Sequence, residues 1–403
     1  MECGVGRRDV LAGAGLSVIA GLTPGCAVSG AETPPFVGGS RVVRQFADPL
    51  LELGRLLKEA AEIEQDLMVQ YLYAAFSIKP AYSALVGDGS PNADSLLGVA
   101  VQEMQHLRAV NQLLVALNFA PVLTRHDFPE EVDMYPFPFR LEPLSRESLA
   151  KYVYCEAPAS AIHSRSWEDV TFHNQLRSCL GTSLRPNHIG SLYGTIIDRV
   201  EELVKRDAAA LPNPDQWIGE LSRIKDEGEE DHYRFFRKLF MASHEAMGAH
   251  RNCWWLDRHD AYYPAWNLAV DPTAYDQYPA TIADPQARDL AWIGNLAYWS
   301  MLSLLDMSYR GWVPEAGEYA HQLMRGPLFS LAKALPRYGV GMPFDPLSLG
   351  FSPGCDRHCN LALTARLVTE AELRASKESN LPTDFDIAVL RRLSEQIGRW
   401  ISV

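Results

Sequence analysis

The stretch LKEAAEIEQDLMVQYLYAA, residues 57–75, sets Leu57, Ala60, Leu67, Met68, Tyr71 and Ala75 at steps of three and four, and Leu53 extends the stripe upstream. That is the period of an amphipathic α-helix. Glu64 lies inside the stripe, with Leu57, Ala60, Leu67, Met68 and Tyr71 at −7, −4, +3, +4 and +7. A carboxylate there points into the core. Burying it alone is costly, so it should be ion-paired or bound to a metal. Tyr71, one turn of that face away, is placed either to hydrogen-bond near such a site or to fill the core. Pro80 ends the pattern.

The same anomaly recurs downstream. A second helix is expected over residues 95–118, with Leu96, Val99, Ala100, Leu107, Val110 and Leu114 on one face. Glu103 sits on that face and His106 follows three residues later. Glu-x-x-His places a carboxylate and an imidazole one turn apart on one side of a helix. The motif returns as Glu229-Glu230-Asp231-His232, ahead of Tyr233, Phe236 and Leu239. Singly, each has a plain explanation. Glu64 fits an ion-paired core residue, His106 a hydrogen-bonded core histidine, and Glu229 a solvated face within the acidic run 225–231. Together, two Glu-x-x-His motifs and an inward Glu on a third helix are the ligand arithmetic of carboxylate-bridged di-iron or di-manganese bundles. Mixed carboxylate and imidazole donors suit iron or manganese.

Such a site calls for one more carboxylate. Glu156 has Leu149, Tyr152 and Val153 at −7, −4 and −3, while Glu201 lies at the edge of the stripe Ile189, Leu192, Tyr193, Ile196, Val200 and Leu203, and Asp198 is further off. Glu156 is the preferred residue, although a helix-end carboxylate beside Pro158 would look the same.

The rest of the chain sets the frame. It has 403 residues, 47% hydrophobic and 22% charged, enough for a large buried core. The net charge of −13 and the absence of a basic stripe argue against nucleic-acid binding. Residues 124–143 hold four prolines and read as a crossover loop. Helical patterning resumes at about 285–312, 315–335, 359–378 and 385–400, with no alternating run and no fixed repeat. The fold class is therefore all-α, a bundle with appended helices. No phosphate loop, dinucleotide glycine fingerprint or Gly-x-Ser-x-Gly elbow is present, and His244-Glu245 with His250 has the wrong spacing for a zinc protease. Seven cysteines, two of them near the N-terminus, are too few for a disulfide scaffold; Cys355 and Cys359 read as a loop feature whose pairing stays open.

Arg7-Arg8 precedes a short apolar run, Val10 to Leu22, and Ser29-Gly30-Ala31 offers a small-x-small cleavage site. This reads as an export signal of the twin-arginine type over 1–31, for a periplasmic or secreted protein, followed by a linker over 32–45. Cys26 does not fit a lipoprotein site, because Leu22 lies one place too far away. No other segment reaches about 18 uninterrupted apolar residues, so no transmembrane span is expected in the mature chain.

Glu62-Ile63-Glu64-Gln65, Gln70 to Phe76 and Glu103-Met104-Gln105-His106-Leu107 resemble the ferritin-like domain of the iminophenyl-pyruvate dimer synthase and violacein-pathway VioB group. Tyr152 to Pro158, Ile189 to Tyr193 and Glu229 to Phe236 extend the similarity. The resemblance implies a ferritin-like four-helix bundle over 46–260, with 261–403 as an additional C-terminal helical region packed on it. It also implies oxidative tailoring of an amine or amino-acid-derived substrate. It leads one to expect an acidic residue where Ser191 stands, a departure that puts a full six-ligand site in question.

The expectation is an exported non-haem di-iron, or di-manganese, oxidase or oxygenase using O2 and a small-molecule substrate. The metal set is Glu64, Glu103, His106, Glu156, Glu229 and His232. The rival readings are a non-catalytic iron-binding or storage protein and a structural bundle with a degenerate site. Some 140 residues beyond the bundle favour pocket building over storage.

Overall fold

The computed structural model describes residues 42–125, 137–180, 189–248, 252–347 and 356–402. The N-terminal signal and Cys355 therefore lie outside the described residues, as does most of the proline-rich loop. The architecture is all-α. Among the described residues the only extended pairings are the isolated bridges of Ile78 with Ala265 and Thr273 with Thr281.

Helix α1 (Pro49–Phe76) starts where Asp48 accepts from the Leu50 and Leu51 amides, with proline at the first position. That cap satisfies otherwise orphaned N–H groups. Ser95 caps α2 (Leu96–Ala116) by accepting from the Gly98 amide. Asn118, in the left-handed region at φ 63°, ends α2, with the Phe119 amide donating to Leu114. Ser145 and Ser148 form a reciprocal capping box on α3 (Arg146–Glu156), which Pro158 keeps from extending. The short α4 (Ala159–Ile162) leads to α5 (Trp167–Leu180). The sequence pattern had not marked α5, because it buries only Phe172 and Leu176. Then come α6 (Ile189–Arg206), α7 (Pro214–Asp226), a π-turn over Glu227–His232 and α8 (Tyr233–Phe240).

Helix α1 packs on α2 and α6, and α7 closes the square against both α6 and α2. Helix α3 touches α5, α6, α8 and the π-turn. The C-terminal helices are α9 (Pro285–Tyr309), α10 (Ala316–Leu323), α11 (Phe329–Ala334), α12 (Arg357–Lys377) and α13 (Ile387–Ile401). Helix α9 packs on α10 and α12, and α12 on α13. No helix among the described residues is long and apolar enough to cross a membrane.

Helix α1 serves two hydrophobic cores. Leu53, Leu57, Ala60 and Leu67 pack within the bundle, while Met68, Val69 and Tyr73 pack with the C-terminal helices. The Tyr73 hydroxyl donates to the Ala269 carbonyl and accepts from the Gly341 amide, and Gln65 donates to the Tyr298 hydroxyl. A helix covered on nearly every side can hold polar groups away from water, and that is the setting of the site.

The α3 cap is testable. The Ser145 hydroxyl accepts from the Ser148 amide at 3.1 Å, and the Ser145 amide donates to the Ser148 hydroxyl at 2.9 Å. Ser145→Ala should lower global stability by about 1 kcal/mol in urea unfolding.

Candidate metal centre

Each bundle element delivers its polar groups to one buried point. Glu64 comes from α1 and Glu103 with His106 from α2; these three are each only 2% exposed. Glu156 is the last residue of α3, and His232, fully buried, ends the π-turn. Two sets of potential ligand atoms, each within 4.8 Å of one another, result: Glu64, Glu103 and His106, and Glu103, Glu156 and His232. Glu103 belongs to both. Its Oε2 lies 2.8 Å from His106 Nδ1 and its Oε1 lies 3.0 Å from His232 Nδ1. One carboxylate thus faces two imidazoles whose rings stack 5.7 Å apart.

Five of the six residues expected from the sequence converge in these two sets. The sixth, Glu229, is half-buried and lines the same cavity, in neither set. Glu201 is exposed and pairs with Lys205 at 3.3 Å, so Glu156 is the carboxylate at the centre. Tyr71 donates to Glu156 Oε1 at 2.6 Å, which answers its alternative in favour of the site. Ser191 is buried on α6 without adding a carboxylate.

Four supporting residues were not read from the sequence. Tyr193 on α6 donates to Glu64 Oε1. His106 Nε2–H donates to Glu227 Oε2 at 2.9 Å, and Arg223 in turn donates to Glu227 Oε1. His232 Nε2–H donates to Gln102 Oε1 at 3.3 Å. Both imidazoles are thereby held with Nδ1 toward the carboxylates, the arrangement in which an outer acceptor fixes the tautomer of a ligating histidine. The π-turn explains why Glu227 was hidden. At 3.6 residues per turn, positions 227 and 232 are about 1.4 turns apart and face different directions. The π-turn closes an i+5 hydrogen bond, from the Tyr233 amide to Gly228, and this wider spacing brings Glu227 and His232 to one side.

The electrostatics are those of a site short of positive charge. Burial, reinforced by the Glu103 charge, pushes the Glu64 carboxyl up to about 8. Burial also raises Glu156. Burial would lower both histidines, yet the Glu103 carboxylate outweighs it, lifting His232 to about 10 and His106 well above its usual value. Glu103, despite burial, is held low by His232 and His106. Protons thus stand in for cations. Glu64 Oε2, Glu103 Oε1 and His232 Nδ1 are buried without an aligned hydrogen bond, although the last two are close. Counting Glu229, four carboxylates and two imidazoles surround the cavity, and two divalent cations would neutralise them. The donor set fits a pair of hard or borderline metal ions.

The sign of the pH dependence follows. Glu64, raised from 4.5 to about 8, stabilises the metal-free fold fully below about pH 4.5, and that contribution is lost as pH rises through about 8. His232, raised from 6.5 to about 10, acts in the same sense, with full effect below about 6.5 and loss toward about 10. The melting temperature of the metal-free protein should therefore fall from pH 6 to pH 9 (both about), and Glu64→Gln should flatten that fall. Because ligands must lose protons to bind, the stabilisation by added metal should grow over the same range. Calorimetry with and without metal checks both.

Residues 57–228 match the family described as Ferritin-like. The chain is 27% identical to the dichlorochromopyrrolate synthase of Lentzea aerocolonigenes in a 343-residue alignment that covers 69% of this chain and 33% of that protein. It is 31% identical to the 2-imino-3-(indol-3-yl)propanoate dimerase of Chromobacterium violaceum over 152 residues, 32% of this chain and 15% of that protein. The chain thus spans a third or less of these relatives' length. A ferritin-like protein of Caulobacter vibrioides aligns with a TM-score of 0.47 at 16% identity, covering 74% of this chain and 99% of that one. With its bundle and its converging carboxylates and histidines, the segment 57–228 is a ferritin-like domain, and the chain is similar to proteins of the iminophenyl-pyruvate dimer synthase and VioB type.

Proposed function

We propose that the protein is a non-haem di-iron oxidase or oxygenase, with manganese as the alternative metal, acting with O2 on a small amine or amino-acid-derived substrate. The observation that carries this reading is Glu103, one carboxylate whose two oxygens face two imidazoles, each accompanied by a further buried carboxylate. Glu64, Glu103 and His106 would hold one ion and Glu103, Glu156 and His232 the other, with Glu229 as a second bridge from the cavity wall. A bound metal pair would supply O2 reduction. The protein's part is to exclude water, to fix the imidazoles through Glu227 and Gln102, and to hold one oxygen of Glu64 and one of Glu156 by the Tyr193 and Tyr71 hydroxyls. The substrate class rests on the relatives, whose names describe a chromopyrrolate synthase and an imino-acid dimerase.

Metal analysis of the purified chain is the first test. Wild type should retain close to two ions per chain. Glu103→Ala should retain almost none, while Glu64→Ala and Glu156→Ala should each keep about one. Oxygen uptake with amino and imino acids, lost in Glu103→Ala, would separate an oxidase from a storage protein. Unchanged iron in Glu103→Ala contradicts the assignment.

Export belongs to the same proposal and is supported by Arg7-Arg8 and Ser29-Gly30-Ala31. The mature protein from the periplasmic fraction should begin at Glu32 by intact mass, and Arg7→Lys with Arg8→Lys should leave the precursor inside the cell.

A further inference from the structure

We propose that Gly190 is a positioning residue of this centre, its missing side chain being the space that the Glu229 carboxylate occupies. The inference rests on the metal-site reading above and adds a residue outside the six expected metal ligands.

Gly190 is the second residue of α6, buried, and lines the cavity together with Glu229, Glu64, Glu103 and Glu156. A Cβ built on it would stand 1.8 Å from Glu229 Oε1, 2.6 Å from Cδ and 2.9 Å from Cγ. Real Cβ contacts essentially never fall below 3.0 Å. The glycine is not required by backbone conformation, since it is absent from the positive-φ residues and lies in a helix. Glycine within a helix is less favourable than alanine, so a buried one calls for a packing or functional reason. Gly194, four residues further along the same helix, has nothing within 4 Å of its own Cβ position and serves as an internal control.

The neighbours explain why that space matters. Helix α6 brings no carboxylate to the cavity; it lines it with Ile189, the Tyr193 hydroxyl on Glu64 and the bare backbone at Gly190. A methyl group at 190 would meet the mobile end of the Glu229 side chain. The carboxylate would swing aside before the helix moved. Gly190→Ala should therefore leave a folded protein whose Glu229 no longer reaches the cavity, a functional copy of Glu229→Ala.

The test is anaerobic Fe(II) titration of the full chain, followed spectroscopically and by bound-iron analysis, with thermal melts of the metal-free variants. Gly190→Ala and Glu229→Ala should each bind iron at least tenfold more weakly than wild type, while Gly194→Ala should bind as wild type. The double variant Gly190→Ala/Glu229→Ala should be no weaker than Glu229→Ala alone. If Gly190→Ala fails to fold, adding Glu229→Ala should restore folding by removing the clash; failure to restore it overturns the proposal. Wild-type iron binding by Gly190→Ala, or additive losses in the double variant, also overturns it. Should the wild type bind no iron, the metal reading falls, and the melts of the metal-free proteins still decide the steric claim. Non-additive melting temperatures across the two single variants and the double one support it, and additive ones overturn it.

Discussion

Four carboxylates share one cavity inside a helical bundle, and the rest of the site follows from the cost of putting them there. Glu64, Glu103 and Glu156 are buried, and Glu229 lines the same wall. Water cannot solvate the three buried ones, so positive charge must come from elsewhere. In the metal-free protein it comes as protons: Glu64 and Glu156 are raised, and both histidines are raised beside Glu103. A pair of divalent cations would answer the same demand with a fixed geometry. Either way the packing of α1 is decisive, because its burial on nearly every side keeps the charge deficit from being relieved by solvent.

Two departures from a regular four-helix arrangement bring the donors to one point. The first is that α6, although it completes the bundle square, brings no acid to the cavity, and Glu156 reaches the centre from the C-terminal end of α3. The capping box at the start of α3 and Pro158 just past its end fix where that helix stops. The second is the π-turn over Glu227–His232, which widens one turn so that His232 faces Glu103 while Glu227 faces His106. A straight α-helix presents two positions five apart in different directions. The local strain of a π-turn is common where a side chain must be re-aimed for function.

Much of this is legible in the amino-acid sequence. Glu64 and Glu103 break apolar stripes of period 3.6, and a charge that breaks a stripe announces itself in the pattern. His106 and His232 followed from their spacing to an acid. Choosing Glu156 over Glu201 is a weaker inference, because Glu156 also fits a helix-end carboxylate beside Pro158 and Glu201 lies at the edge of its stripe; contact between α3 and the π-turn decides it. Tyr193 looked like an ordinary core tyrosine and Gln102 like an ordinary polar position. Glu227 sat in the acidic run 225–231, which reads as a solvated surface.

The amino-acid sequence by itself determined the all-α class, the buried acids on α1 and α2 and the Glu103-x-x-His106 pair. These depend on periodicity within one helix, where neighbours in space are three or four residues apart in the chain. Only the tertiary structure decided which carboxylate completes the centre, which way each imidazole points and which residues hold them there. Those outcomes depend on contacts such as Tyr193 to Glu64 and His106 to Glu227, separated by more than a hundred residues. No local period carries information across such a distance; the packing of whole helices does.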